Sequence, residues 1–185
     1  MSKPIVARWQ DWDARGIEHL VLREGMREIV AESVVVGVAD GTPFALRYRI
    51  RCDKLWRVRS AEIEIVGENR KIEIAGDGTG NWSGASGKPI PKLKGAIDID
   101  LSATPFTNTL PIRRLKLKPG QSAEITTVYI LVPALTLATD PQRYTCIEAR
   151  KRYRYESLDS DFMREIEVDR HGLVVNYPGL FRRLL

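Results

Sequence analysis

The clearest pattern in the chain runs from Phe44 to Cys52, where Phe44, Leu46, Tyr48, Ile50 and Cys52 alternate with Ala45, Arg47, Arg49 and Arg51. A period of two places the first set on one face of a strand and the arginines on the other. Asp40-Gly41 just upstream is a hairpin turn signal, and Glu32 to Val38 before it is rich in β-branched residues, so the two segments are expected to pair. Trp56, Val58, Ile63 and Ile65 continue the meander, followed by Ile72 and Ile74. Asp77-Gly78-Thr79-Gly80-Asn81 reads as a tight turn. Ile97, Ile99 and Leu101 then alternate with Asp98 and Asp100, and Ile125 to Val132 forms a long apolar strand candidate that Pro133 should end. Tyr153 and Tyr155 alternate with Arg152 and Arg154. Phe162, Ile166 and Val168 precede a turn at Asp169 to Gly172, and Leu173 to Val175 should pair back.

Helical patterning is scarce. Asp159 to Glu165 is compatible with a short helix, and Gly16 to Val30 is ambiguous because Gly25 interrupts it. Around ten short strands separated by turns predict a mainly β, largely antiparallel fold: a barrel, a half-barrel or a sandwich. No internal repeat, low-complexity tract or linker divides the chain. Residues 1–185 are therefore expected to form a single domain with few short helices.

The stretch from Ser102 to Leu115 breaks the pattern. Two prolines, Pro105 and Pro111, bracket Thr107, Asn108 and Thr109, a composition that suits neither a helix nor a central strand and predicts an ordered irregular crossing. The plain reading is that Thr104, Thr107, Asn108 and Thr109 satisfy backbone groups there. The functional reading is a rim of donors and acceptors for a polar headgroup. One of Arg113 and Arg114 would then pair with Asp98 or Asp100, and the other would be free for a phosphate or carboxylate. On residues alone the plain reading is favoured.

Net charge of +5 permits an anionic partner (nucleic acid, phospholipid or a phosphorylated small molecule) without requiring one. The arginines at 47, 49, 51, 57 and 59, with Tyr153 and Tyr155, are compatible with a single-strand nucleic-acid platform. Glu62, Glu64, Glu73 and Glu148 are available to pair across strands, which favours a charge-laced solvent face instead.

Catalytic signals are weak. Asp98 and Asp100 share a strand face at a spacing that glycoside hydrolysis could use, although an Asp-x-Asp pair is common. No G-x-S-x-G elbow, H-E-x-x-H motif, Cys/His cluster or phosphate-binding glycine loop occurs, so no metal or cofactor is implied. The two cysteines, Cys52 and Cys146, have no metal spacing and are expected to be reduced and unlinked. No apolar run is long enough to span a membrane or serve as a signal core, which gives a cytoplasmic expectation.

The run Leu101-Ser-Ala-Thr-Pro-Phe-Thr-Asn-Thr-Leu-Pro-Ile-Arg-Arg-Leu115 resembles the signature of a family of bacterial proteins named "putative glycolipid-binding", formerly a family of unknown function. Its companions are Gly16-Ile17-Glu18-His19, Asp77 to Trp82, Asp98-Ile99-Asp100, Gln142-Arg143-Tyr144 and Val175 to Arg182, so the likeness spans nearly the whole chain. The resemblance implies a curved antiparallel sheet similar to lipoprotein-localisation factors, sheltering an apolar groove. It also implies an amphipathic ligand such as a glycolipid, bound without catalysis. The residues expected at that ligand are Glu18, Trp82, Asp98, Asp100, Thr104, Thr107, Asn108, Arg113, Arg114 and Tyr177. An enzyme acting on a glycosylated or phosphorylated small molecule through Asp98, Asp100 or Glu18 is the alternative, and single-strand nucleic-acid binding is the third reading. The sequence leaves the oligomeric state open.

Overall fold

In the structure, a computed structural model describing residues 3–184, 56% of the chain is strand and 7% helix, as the alternating patterns predict. The first strands are β1 (Ile5–Asp11), β2 (Ile17–Glu24), β3 (Ile29–Ala39), β4 (Thr42–Cys52), β5 (Val58–Ile65), β6 (Lys71–Gly76) and β7 (Trp82–Gly84). After a connecting segment come β8 (Asp98–Leu101), the helix α1 (Thr109–Leu115), β9 (Ser122–Leu131), β10 (Thr136–Glu148), β11 (Arg152–Ser157), β12 (Met163–Val168), β13 (Val174–Tyr177) and β14 (Phe181–Leu184). All fourteen strands form one curved sheet, in the order β7-β6-β5-β4-β3-β2-β1-β14-β13-β12-β11-β10-β9-β8.

The sheet is not closed into a barrel, so of the expected architectures the half-barrel is the one adopted. Its two edge strands, β7 and β8, are consecutive in the chain, and the segment joining them runs from one edge to the other. That segment is pinned where the Trp82 indole N–H donates to the Ala96 carbonyl (2.7 Å) and Gly95 N–H to the Gly80 carbonyl (2.8 Å).

Period-two burial is strict on the central strands. Leu46, Tyr48, Ile50 and Cys52 are buried, Phe44 is half-buried, and Arg47, Arg49 and Arg51 lie on the outer face. Asp40 and Gly41 both take positive φ (49° and 78°), the backbone a two-residue hairpin loop needs, and Ala39 pairs with Thr42 across it. On the outer face Arg47 meets Glu64 and Arg49 meets Glu32 on neighbouring strands, and Arg51 meets Glu28 in the turn just before β3. Tyr153 and Tyr155 point the other way, into a buried cluster with Tyr144, Ile166 and Tyr177, so they do not form an exposed stacking platform.

Two expectations need correction, and one ambiguity is resolved. Ser102 to Leu115 is not irregular throughout, because a 3-10 turn (Phe106–Asn108) leads into α1. Pro111 is the third residue of that helix, within the first turn, where a backbone N–H has no intrahelical partner to lose. The helix has a topological cause. β8 pairs with β9 in parallel, unlike the antiparallel neighbours elsewhere, and a parallel pair needs a crossover connection rather than a hairpin. Asp159 to Glu165 is not helical either. Ser157 N–H donates to the Phe162 carbonyl and closes a turn, after which β12 pairs with β11 and buries Ile166 and Val168. The ambiguous Gly16 to Val30 segment resolves into β2, a turn closed by Gly25 N–H donating to the Glu28 carbonyl, and the start of β3.

The crossing packs across the inside of the curved sheet and joins two cores. Phe106 and Leu110 belong to the cluster drawn from β1 to β9, which includes Trp9, Leu20, Leu46 and Ile63, whereas Ile112 packs in the tyrosine-rich cluster of β10 to β13.

Candidate ligand site: a buried carboxyl beside an apolar cavity

Most of the crossing's polar side chains are used by the fold. Thr104 Oγ1 accepts from Phe106 N–H (3.0 Å), and Thr107 Oγ1 accepts from Leu101 N–H (3.3 Å) while donating to Asp100 (3.1 Å). Asn108 donates to the Pro105 carbonyl (3.3 Å) and accepts from Tyr144 Oη (2.9 Å), and Thr109 donates to the Gly172 carbonyl (2.9 Å). These bonds fix the crossing in one conformation between the walls of the sheet.

The acidic strand is also committed. Asp98, fully buried, receives two bonds from Arg114 Nε (3.0 and 3.1 Å) and one from its Nη2. Burial pushes its carboxyl up and the arginine offsets this in part. Asp100 accepts from Thr107 and from Gln142 (2.7 Å), which also donates to Asp140 (2.6 Å). Its pKa is likewise raised, first by burial. Arg113 does not stand free. It lies over the Trp56 ring (4.5 Å), donates to the His171 carbonyl (2.9 Å) and reaches Glu24 at 3.4 Å.

Glu18 is different. It sits on the inner face of β2, 3% exposed, between its cross-strand neighbours Trp9 and Val35. Oε1 accepts from Tyr48 Oη (2.6 Å) and Ser33 Oγ (2.7 Å), whereas Oε2 is buried with no hydrogen-bond partner. Burial drives its pKa up to about 7, with the hydroxyls of Thr104, Tyr48 and Ser33 and the charge of Arg183 pulling the other way. Its carboxyl is therefore half-protonated near neutrality.

Glu18 lines a cavity of about 140 Å³ at one end of the crossing, with Ser102 and Ala103 on one side. The remaining walls are mainly apolar: Trp9, Val35, Val38, Ala39, Phe44, Val132 and Phe181. Glycines shape this end. A Cβ on Gly16 would fall 2.9 Å from the Val36 carbonyl oxygen and 3.1 Å from Gly37 Cα, so only glycine lets β2 start so close to β3.

Among the expected residues, the structure links Glu18 to Thr104 through Tyr48, Asp100 to Thr107, and Asp98 to Arg114. Trp82, the first residue of β7, lies in the core, and Tyr177 packs against Tyr155 and Phe181 (ring centroids 6.4 and 6.5 Å). Neither lines the Glu18 cavity. Sequence reasoning missed Ser33 and the apolar walls, and named Gln142 within a motif without assigning it to the site. Ser33 left a trace as a lone polar residue on the inward face of a valine-rich strand.

No curated protein matches the chain. A crystal structure of a DUF1089 family protein from Pseudomonas aeruginosa is similar to it, with 40% sequence identity, a TM-score of 0.83 and 92% of each chain covered. The family model described as "Putative glycolipid-binding" matches residues 6–183, nearly the whole chain. By that match, which includes the glycines, Glu18 and the crossing described above, the chain belongs to the "Putative glycolipid-binding" family.

Proposed function

We propose that this chain, acting as one unit over residues 1–185, binds an amphipathic hydroxyl-bearing small molecule, a glycolipid or a related sugar-containing compound, without transforming it. The observation that carries this reading is the unpartnered Oε2 of Glu18 beside an apolar cavity. An unpaired buried acceptor costs about 1–3 kcal/mol, and a ligand hydroxyl would offset that cost. Trp9, Phe44 and Phe181 supply flat apolar surface for the C–H face of a ring. A cavity of about 150 Å³ takes one benzene, so the space beside Glu18 suits one end of a ligand rather than a whole acyl chain. The rest of the molecule would lie across the mouth. The family's name supports a lipid-like partner. The buried free thiols of Cys52 and Cys146 support a reducing, cytoplasmic setting.

One observation favours an enzymatic second reading: a carboxyl with its pKa near 7 is poised for general acid or base work. Of the acidic residues considered for that role, Asp98 and Asp100 are held by Arg114, Thr107 and Gln142, leaving Glu18 as the candidate. Nucleic-acid binding has the least support, since the outer arginine rows are paired with glutamates and Tyr153 and Tyr155 are buried.

The test is mass spectrometry of small molecules extracted from the purified protein and from the Ala39→Phe variant, whose added ring would obstruct the cavity. A sugar-bearing or polyol-bearing amphiphile carried by the wild type and absent from the variant is expected. The same molecules in both preparations would argue against the site.

A further inference from the structure

At the opposite end of the crossing from Glu18 lies a second cavity, of about 490 Å³. The end of α1 and the residues after it, the turn between β10 and β11, and the turn between β12 and β13 converge there. They bring Arg113, Lys116, Arg150 and Arg170 to its walls, over a floor that includes Tyr153 and Val168. Among the described residues no carboxylate lines it.

This concentration differs from the outer face of the sheet, where cations alternate with carboxylates. On the outer face Arg47, Arg49 and Arg51 each hold a glutamate, and Arg143 holds two. In the cavity only Arg113 has an acidic neighbour, Glu24 at 3.4 Å. Lys116, Arg150 and Arg170 have none among the described residues, and Arg170 turns its Nε to the neighbouring imidazole of His171 (3.0 Å). Lys116 and Arg150 occupy left-handed backbone (φ 51° and 62°), which β-branched residues disfavour and which here sets both side chains at the rim of one concavity. Unpaired like charges gathered in one concavity repel each other, and a multiply charged anion would relieve that repulsion.

We propose that this cavity binds a phosphoryl group. Arginine forks match the oxygens of a phosphate, lysine adds a point charge, and a dianion uses several cations where a single carboxylate would leave most unpaired. Arg113, held by Trp56 and the His171 carbonyl, is the pre-set member. The phosphoryl group belongs either to a free phosphorylated small molecule or to a lipid headgroup.

The experiment titrates the full chain at fixed ionic strength with inorganic pyrophosphate, and sediments it with vesicles of phosphatidylcholine with and without phosphatidate. The site variant is Lys116→Asn with Arg150→Asn, because asparagine tolerates left-handed backbone. The charge-matched control is Arg47→Gln with Arg49→Gln on the outer face. Pyrophosphate is expected to bind the wild type and the control alike and to lose about tenfold or more in the site variant, the factor one charge-assisted hydrogen bond carries. Phosphatidate-dependent sedimentation lost in the same variant assigns the phosphoryl group to a headgroup, and pyrophosphate binding without it assigns a free molecule. Absence of both kinds of binding in the wild type overturns the proposal. So does an equal loss in the site variant and the control, which would reduce the effect to net charge.

Discussion

Tyr48 Oη donates a 2.6 Å hydrogen bond to Glu18 Oε1, joining β4 to β2 across the intervening β3, whose Ser33 donates to the same oxygen. The other carboxyl oxygen has no partner, and burial holds the group's pKa at about 7 instead of the ordinary 4.5. A carboxyl whose pKa is higher folded than unfolded stabilises the fold below the unfolded value, and loses that contribution as pH rises through the folded one. As pH rises from about 4.5 to 7 the protein should therefore lose roughly 3 kcal/mol of stability through Glu18, a cost fully present only above that range. Glu18→Gln should match the wild type near pH 5 and exceed it by about that amount at pH 8. Urea denaturation of both proteins at several pH values measures the difference. Parallel stability curves would mean that Glu18 is not perturbed.

Arg114 and Arg113 are neighbours with unequal duties. Arg114→Met strands the fully buried Asp98 and should cost about 3–5 kcal/mol, most of which Asp98→Leu in the same chain should recover. Arg113→Gln gives up the Trp56 contact and the bond to the His171 carbonyl, a loss of about 1–2 kcal/mol. Equilibrium unfolding of the three variants gives the ranking, and equal losses for Arg113 and Arg114 would contradict it.

Gly16 and Gly41 both look like ordinary turn glycines in the sequence, and the structure separates them. A methyl group at Gly16 meets backbone atoms of β3, so Gly16→Ala should cost about 1–3 kcal/mol. A side chain at Gly41 meets nothing within 4 Å, and Gly41→Asn, which suits its positive φ, should cost under about 1 kcal/mol. Thermal melts of the two variants decide this.

Both thiols should be inert in the native protein. Cys52 and Cys146 are buried, and burial raises both thiol pKa values, so little thiolate is exposed to react. Ellman's reagent should count two thiols after unfolding in denaturant and react slowly before it. Rapid native modification would show that one of the two cores opens.

The legible parts of this fold were those in which one segment specifies its own geometry. Phe44 to Cys52 alternates without interruption and became β4. Asp40-Gly41 supplied the positive φ values of its hairpin, and the arginine rows paired with glutamates on adjacent strands. What stayed hidden depended on residues far apart in the chain. The helix after Asn108 follows from the parallel pairing of β8 with β9, which no local pattern announces, and its prolines argue against it unless Pro111 is known to lie in the first turn. Glu18 could be singled out from its motif. Its environment could not, because Ser33, Tyr48 and Thr104 are brought to it by three different elements. Trp82 and Tyr177 are expected at the ligand through the family-resemblance motifs that contain them, and the structure packs both in cores.

The most direct test of the central claim is calorimetric titration of hexyl glucoside into the wild type, Ala39→Phe and Glu18→Leu at pH 8, where Glu18 is mostly ionised. Saturable binding to the wild type is predicted, with loss in Ala39→Phe and weakening of about tenfold or more in Glu18→Leu, the factor expected when a hydrogen bond to a charged group is removed. Thermal melts of all three proteins establish that each is folded. No saturable heat with the wild type, or undiminished binding by folded Ala39→Phe, would contradict a ligand site beside Glu18.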